Sequence, residues 1–137
     1  MEIVTLSATT KGPAAMFAGD VWFDVIAPPQ SEPSRMKVNV VHFSPGAHTA
    51  WHSHAVGQTL HVTDGIGLVQ SRGGRLIHMR AGDTVYTPPG EEHWHGATSE
   101  NFMCHLAMWE SAADGQGPDT TWGAHVTDEE YLAANRS

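Results

Sequence analysis

The sequence predicts an all-β sandwich or barrel, and three observations point to this fold class. Short apolar or alternating runs recur along the chain, which has 137 residues. Gly and Pro residues separate these runs at the short intervals typical of all-β folds rather than of βαβ units. The length suits one domain, and 40% hydrophobic residues are sufficient for one core. We therefore expect a single domain over residues 1–137.

Each candidate strand is a short apolar or alternating run bounded by turn signals. In chain order the candidates are residues 21–26, 36–43, 49–54, 58–63, 67–71, 75–79, 83–87, 93–96 and 102–110. Gly and Pro predict turns at 44–46, 64–65, 73–74, 81–83 and 88–90. The turn at 73–74 predicts a hairpin.

Two segments are expected to be loops, and the end of the chain is expected to be helical. Residues 27–34 carry three prolines, and residues 111–118 are polar and rich in Gly. Thr127 and Glu130 have the spacing of a capping box, in which each side chain satisfies a free amide at a helix start. A short helix through about Asn135 follows from that signal.

Composition excludes several classes of function. The formal net charge is −8, from 15 acidic and 7 basic residues, which argues against a nucleic-acid-binding surface. A small-molecule partner is expected instead. No run approaches the length of a membrane span, and the N-terminus lacks a signal-peptide pattern, so we expect a cytoplasmic protein that does not bind membranes. The single cysteine, Cys104, excludes an internal disulfide and is expected to be buried.

The most informative feature is the position of four of the ten histidines. His52 and His54 are two apart, and so are His93 and His95. Residues two apart on a β-strand project from the same face, so each pair can aim two imidazoles into one space. This arrangement predicts a metal site on a sheet.

Fixed spacings around these histidines resemble the two motifs of the cupin superfamily. The first motif covers residues 46–65, with Gln58 where glutamate is usual. The second covers residues 82–97, with Ala97 where asparagine often stands. The resemblance implies a cupin fold, a double-stranded β-helix or jelly-roll barrel, followed by the short C-terminal helix.

Segments 52–58, 90–96 and 103–106 are also similar to bacterial manganese-dependent cupin hydroxynitrile lyases, which likewise carry glutamine in the first motif. This resemblance implies four metal ligands and two polar pocket residues. The implied ligands are His52, His54, Gln58 and His93, and the implied pocket residues are His95 and His105. It also places Asn39, Val41 and Phe43 toward the pocket.

The ligand set has a chemical consequence. Three imidazoles and one amide oxygen are neutral, so a divalent ion would keep its full charge and act as a strong Lewis acid. These donors do not select one metal, because manganese, iron, zinc, nickel and cobalt all accept them. The resemblance favours manganese.

His95 and His105 are the candidate general bases. His95 shares the face of His93, and a reference pKa of about 6.5 suits proton transfer near neutral pH. Alternation groups His105 with Met103, Ala107 and Trp109, but both faces of residues 102–110 are apolar enough that the pattern does not fix the inward one. The other histidines are expected to be exposed or to make ordinary hydrogen bonds. They are His42, His48, His61, His78 and His125.

Three functions remain open on the residues. The first is a lyase that cleaves or forms α-hydroxynitriles, such as mandelonitrile from benzaldehyde and hydrogen cyanide. The second is a metal-dependent dioxygenase, since open metal positions permit oxygen chemistry. The third is a metal-dependent binding or sensor module without turnover. A separate alternative for the histidine set is a cupin that has kept the motif but lost the metal. Pairing through an exposed edge strand predicts a homodimer or homotetramer.

Overall fold

The computed structural model describes residues 1–137 and contains twelve strands and one helix. The strands are β1 (Thr10–Lys11), β2 (Phe17–Ala18), β3 (Val21–Ala27), β4 (Met36–Phe43), β5 (His48–Thr49), β6 (His52–His54), β7 (Gln58–Ser71), β8 (Leu76–Arg80), β9 (Thr84–Thr87), β10 (His93–Ala97), β11 (Met103–Glu110) and β12 (Thr120–Trp122). The helix is α1 (Asp128–Arg136). The predicted all-β architecture with a short C-terminal helix is confirmed.

Strand β7 belongs to both halves of a curled antiparallel sheet. Its first half pairs with β11 and β9, and its second half pairs with β10 and β8. One half of the sheet continues through β4 and β3 to β1, and the other continues through β5 to β2. Strand β6 joins β10 to β12. The strands that carry the two histidine pairs are therefore neighbours.

The turn predicted at residues 64–65 is wrong, because β7 runs through it without a break. The register against β11 shifts there, so that Thr63 is an extra residue in a β-bulge. Gly65 has a φ of 80°, and a Cβ at this position would lie 1.9 Å from the carbonyl oxygen of Phe102. Glycine is required where the strand bends, since any side chain would collide with the adjacent main chain.

Other local predictions differ from the structure at short elements. The expected strand 49–54 is divided into β5 and β6 by Ala50 and Trp51. Strands β1, β2 and β12 were not expected, since pieces of two or three residues carry no periodicity. The hairpin at 73–74 is confirmed between β7 and β8, and the Thr127 capping box is confirmed at the start of α1.

Two apolar clusters stabilise the sheet. The larger lies between the two halves of the sheet and includes Val21, Phe43, Leu60 and Met103. The smaller lies under α1 and includes Trp51, Leu68, Trp94, Val126, Tyr131 and Ala134. None of the helical structure is both long and apolar enough to traverse a lipid bilayer.

Candidate metal centre and adjoining cavity

Pairing of β6 with β10 brings the two histidine pairs together. His93 lies opposite His52 in this antiparallel register, and their ring centroids are 4.3 Å apart. His54 lies 5.1 Å from His52 and 5.6 Å from His93 by the same measure. The exposed fractions are 2% for His52, 4% for His54 and 1% for His93, so all three rings are buried. Burial of three imidazoles at one place requires a compensating partner.

Each of these rings is held through Nδ1, which leaves Nε2 directed into the site. The Nδ1–H of His52 donates to the Ala50 carbonyl oxygen at 3.0 Å, and that of His93 donates to the Glu91 carbonyl oxygen at 3.0 Å. Nδ1 of His54 forms a hydrogen bond of 3.1 Å with the Thr120 hydroxyl. The two carbonyl oxygens can only accept, so they select the tautomer of His52 and His93 in which Nε2 carries a lone pair.

Gln58 enters the same space from β7. Its Oε1 lies 3.0 Å from Nε2 of His93, although both atoms are acceptors when the Nδ1 of that ring is protonated. Nε2 of His54 is buried without any hydrogen-bond partner. Facing acceptors and an unpartnered lone pair are unfavourable alone but suit a cation. Gln58 and these histidines are therefore candidate ligands for a divalent metal ion. His54 lies outside the group of histidines whose ring nitrogens are all within 4.8 Å of one another.

A second histidine pair adjoins the first three. His95 follows on β10, and its Nδ1 lies 3.0 Å from Nε2 of His105 on β11. The remaining ring nitrogens, Nε2 of His95 and Nδ1 of His105, are buried without partners. Ring nitrogens of His52, His93 and His95 lie within 4.8 Å of one another. His95 is therefore close enough to serve either as a further ligand or as a base beside the ion.

Strand β11 turns one of its two faces inward, which the sequence pattern had left open. Met103, His105 and Ala107 are buried on this face, and Trp109 lies at the cavity wall. Phe102, outside the strand, is exposed.

Burial keeps the clustered histidines neutral. It lowers the pKa of His54 to about 4 and that of His105 to about 4. Desolvation, reinforced by the neighbouring imidazoles, lowers the pKa of His52 and of His95 well below its usual value. Desolvation also lowers the pKa of His93. Neutral imidazoles are the form that binds metals and accepts protons.

A cavity of about 300 Å³ opens onto the cluster. The apolar part of its lining includes Phe17, Phe23 and Trp122, whose ring stacks on His52 at 4.6 Å between centroids. The polar part of its lining includes Lys37 and Asp119. A cavity with both kinds of wall suits a small organic ligand.

The two implied pocket residues Asn39 and Val41 do line this cavity. Phe43 instead belongs to the apolar core, with its ring centroid 5.2 Å from that of His105. Phe43 therefore packs against the histidine pair from the core.

Residues 39–109 match the Cupin domain family, and these residues are more than half of the chain. The chain belongs to the cupin family. This membership agrees with the motif spacings and with the antiparallel sheet that carries the clustered histidines. The family likeness at residues 46–65 and 82–97 is therefore confirmed.

Three individual proteins resemble this cupin along nearly its whole length. An (R)-mandelonitrile lyase from Granulicella tundricola is 47% identical over 135 residues, which cover 96% of this chain and 98% of the relative. The crystal structure of a cupin-like protein from Thermotoga maritima superimposes with a TM-score of 0.84 at 36% identity, covering 98% and 97% of the two chains. A cupin 2 barrel protein from Rhodopseudomonas palustris shares the fold, with a TM-score of 0.67, 17% identity and coverage of 94% and 83%.

The remaining histidines of this cupin lie away from the cluster. His61 bonds to the Thr84 hydroxyl on the opposite face of β7, and His42 is exposed near Asp24. His48 is buried, but its Nδ1 is satisfied by the Gly46 carbonyl oxygen.

Sequence reasoning missed several residues that complete the cavity of this cupin. They are Met16, Phe17, Phe23, Lys37, Asp119, Thr120 and Trp122. Most lie in or beside short strands that have no periodic signal. An inward lysine at position 37 was the detectable clue, because charged side chains are rare on a buried face.

Proposed function

We propose that this cupin is a metal-dependent hydroxynitrile lyase, which converts an α-hydroxynitrile into an aldehyde and hydrogen cyanide. The observation that carries this proposal is the neutral His95–His105 pair beside four buried candidate donors at a cavity of about 300 Å³. The 47% identity to an (R)-mandelonitrile lyase supports the same reaction class.

The residues proposed to hold the ion are His52, His54, Gln58 and His93. A divalent cation bound by them would polarise the substrate oxygen and make its hydroxyl proton more acidic. We propose manganese as the resident ion, on the basis of the resemblance to manganese-dependent hydroxynitrile lyases. The donor set itself accepts iron, cobalt, nickel or zinc as well.

In the proposed mechanism His95 accepts the hydroxyl proton of the substrate at Nε2, the nitrogen that has no partner within the chain. The carbon–carbon bond then breaks, its electron pair leaves with cyanide, and the hydroxyl oxygen becomes the carbonyl oxygen. His105 holds the ring of His95 through the 3.0 Å hydrogen bond at Nδ1. The proton on His95 is finally transferred to cyanide, so that hydrogen cyanide leaves.

Apolar surroundings favour this chemistry. Phe17, Phe23 and Trp122 on the cavity wall would contact the organic part of the substrate and exclude water from the histidine pair. Exclusion of water strengthens each electrostatic interaction inside the site.

The test is cyanide release from mandelonitrile under argon, combined with elemental analysis of protein purified without added metal. We expect about one metal ion per chain and cyanide formation that stops when a chelator removes the ion. Oxygen uptake with phenolic or diketone substrates would instead support a dioxygenase. Absence of both activities in fully metallated protein would favour a binding role.

A further inference from the structure

The polar side of the cavity has features that the proposed mechanism does not use. Lys37 and Asn39 both line the cavity from β4, and Asp119 lines it from the residue before β12. The Lys37 Nζ lies 2.6 Å from Oδ2 of Asp119, and the two side chains are only 25% and 24% exposed. Trp109 donates from Nε1 to the same carboxylate oxygen at 3.2 Å. We call Lys37, Asn39 and Asp119 the polar wall.

Folding alone does not account for the polar wall. Partly buried ion pairs add little net stability, because the desolvation cost offsets the attraction. The Asn39 side chain lies on the same inward face and makes no hydrogen bond within the chain. Lys37 has ammonium protons beyond the one directed at Asp119, and Oδ1 of Asp119 remains available for a donor. These groups can therefore form hydrogen bonds with a polar atom of a bound ligand.

The apolar lining of the cavity defines the rest of the ligand. Phe17, Phe23 and Trp122 offer apolar and aromatic surface. Aromatic rings favour contacts with other flat rings in offset or edge-on arrangements. A ligand that contacts both the apolar and the polar lining therefore combines an aromatic ring with a polar substituent.

We infer that the polar wall binds a neutral hydroxyl substituent on an aromatic substrate, so that the substrate class is hydroxylated aryl hydroxynitriles and their aldehydes. Charge decides between a hydroxyl and a carboxylate. Lys37 and Asp119 neutralise each other, and the chain carries a net charge of −8, so an anionic substituent meets no net attraction. A hydroxyl can donate to Asp119 and accept from Lys37 or Asn39.

The reaction named here rests on the proposed lyase function, but binding of the substituent can be measured separately with alcohols that do not react. 4-Hydroxybenzyl alcohol and 4-methylbenzyl alcohol have similar size and differ in one polar group. Isothermal titration calorimetry of each alcohol with the purified protein should give about tenfold tighter binding of the hydroxyl compound, the effect of one charge-assisted hydrogen bond. 4-Carboxybenzyl alcohol should bind more weakly than either.

Two variants test the assignment within the chain. Lys37→Met and Asn39→Leu should each reduce the preference for the hydroxyl compound severalfold and leave affinity for 4-methylbenzyl alcohol nearly unchanged. Asn39→Leu removes no internal hydrogen bond, so it tests the inference even if Lys37→Met does not fold. Lys11→Met is the matched control, since Lys11 pairs with Asp20 on the surface, and it should keep the wild-type preference.

Equal binding of the hydroxyl and methyl compounds to the wild-type protein would overturn the inference, as would tighter binding of the carboxylate. An unchanged preference in both Lys37→Met and Asn39→Leu would also overturn it. These results are independent of catalysis. Cyanide release without a binding preference would leave the lyase proposal intact, whereas a preference without cyanide release would support the polar wall and contradict the lyase proposal.

Discussion

The apolar core and the histidine cluster use residues of the same strands, but the groups that they bury differ in polarity. Strand β7 contributes Leu60 and Val62 to the core and Gln58 to the cluster, all from one face. The core is packed with hydrocarbon, whereas the cluster contains buried ring nitrogens without partners. The core therefore stabilises the fold, whereas the cluster is a destabilised site that a ligand can satisfy.

The largest expected effect separates metal binding from folding. His93→Ala removes one of the proposed metal ligands, so bound metal should fall close to zero and cyanide release should drop by about a thousandfold or more. Elemental analysis and the anaerobic cyanide assay measure these outcomes. His61→Ala, on the opposite face of β7, is the control and should retain both. Full metal content in His93→Ala would refute the ligand assignment.

The second prediction distinguishes a metal ligand from a general base within the cluster. His95→Ala should keep the ion on the other four donors and lose about 10²–10⁴-fold in rate, the usual contribution of a general base. Metal content and rate are measured on the same sample. If the ion is lost together with the activity, His95 is a ligand rather than a base, as its distance from His52 and His93 also permits.

The third prediction addresses the core. Leu60→Ala leaves a cavity in the larger apolar cluster and should lower the free energy of unfolding by about 2–5 kcal/mol. The rate per folded molecule should change little, because Leu60 does not line the site cavity. Urea denaturation and the cyanide assay at low temperature measure the two quantities. A large loss of rate with normal stability would show that core and cluster are not separate.

The fourth prediction is a pH dependence confined to the cluster. The pKa values of His54 and His105 are about 4 in the fold and about 6.5 in the unfolded chain, so the unfolded chain binds more protons between these values. Stability of chelator-treated protein should therefore fall as pH decreases from 6.5 to 4, by up to about 3 kcal/mol for each histidine. Urea denaturation across this range measures the slope. His105→Phe should reduce the slope by the share of one histidine, and an unchanged slope would contradict the assignment.

The smallest expected effect comes from outside the ligand set. Thr120→Val removes the hydroxyl that fixes Nδ1 of His54, so metal affinity should weaken by about tenfold. Competition with a fluorescent chelator measures this change. Thr121→Val, whose side chain is exposed on the other face of β12, should have wild-type affinity.

The predictable parts of this molecule are those with a local signal. Strand β4 and the C-terminal helix follow from periodicity and capping, and the proximity of His52 to His93 is what the resemblance to the cupin motifs implies. The sequence predicts a turn at Gly65, whereas the structure has a bulge there. A glycine in a bulge and a glycine in a hairpin cannot be distinguished by sequence alone. The stacking of Trp122 on His52 results from the pairing of β6 with β12, and no local sequence pattern predicts this pairing.

The polar wall likewise combines a feature with a local sequence signal and a feature that depends on long-range pairing. Lys37 lies on a strand whose bounds were predicted correctly, yet its inward direction depends on Asp119, a residue that is 82 positions away in the chain. Long-range pairs of this kind become visible only when the sheet has closed.

Main-chain carbonyls orient two of the three clustered rings, and this has a practical consequence for engineering. The oxygen atoms of Ala50 and Glu91 fix His52 and His93, whatever side chains these positions carry. Position 50 is packed tightly and will tolerate only small residues, but Glu91 is partly exposed. Position 91 is therefore suited to randomised libraries that alter the surroundings of the centre while the geometry of its imidazoles is inherited from the backbone.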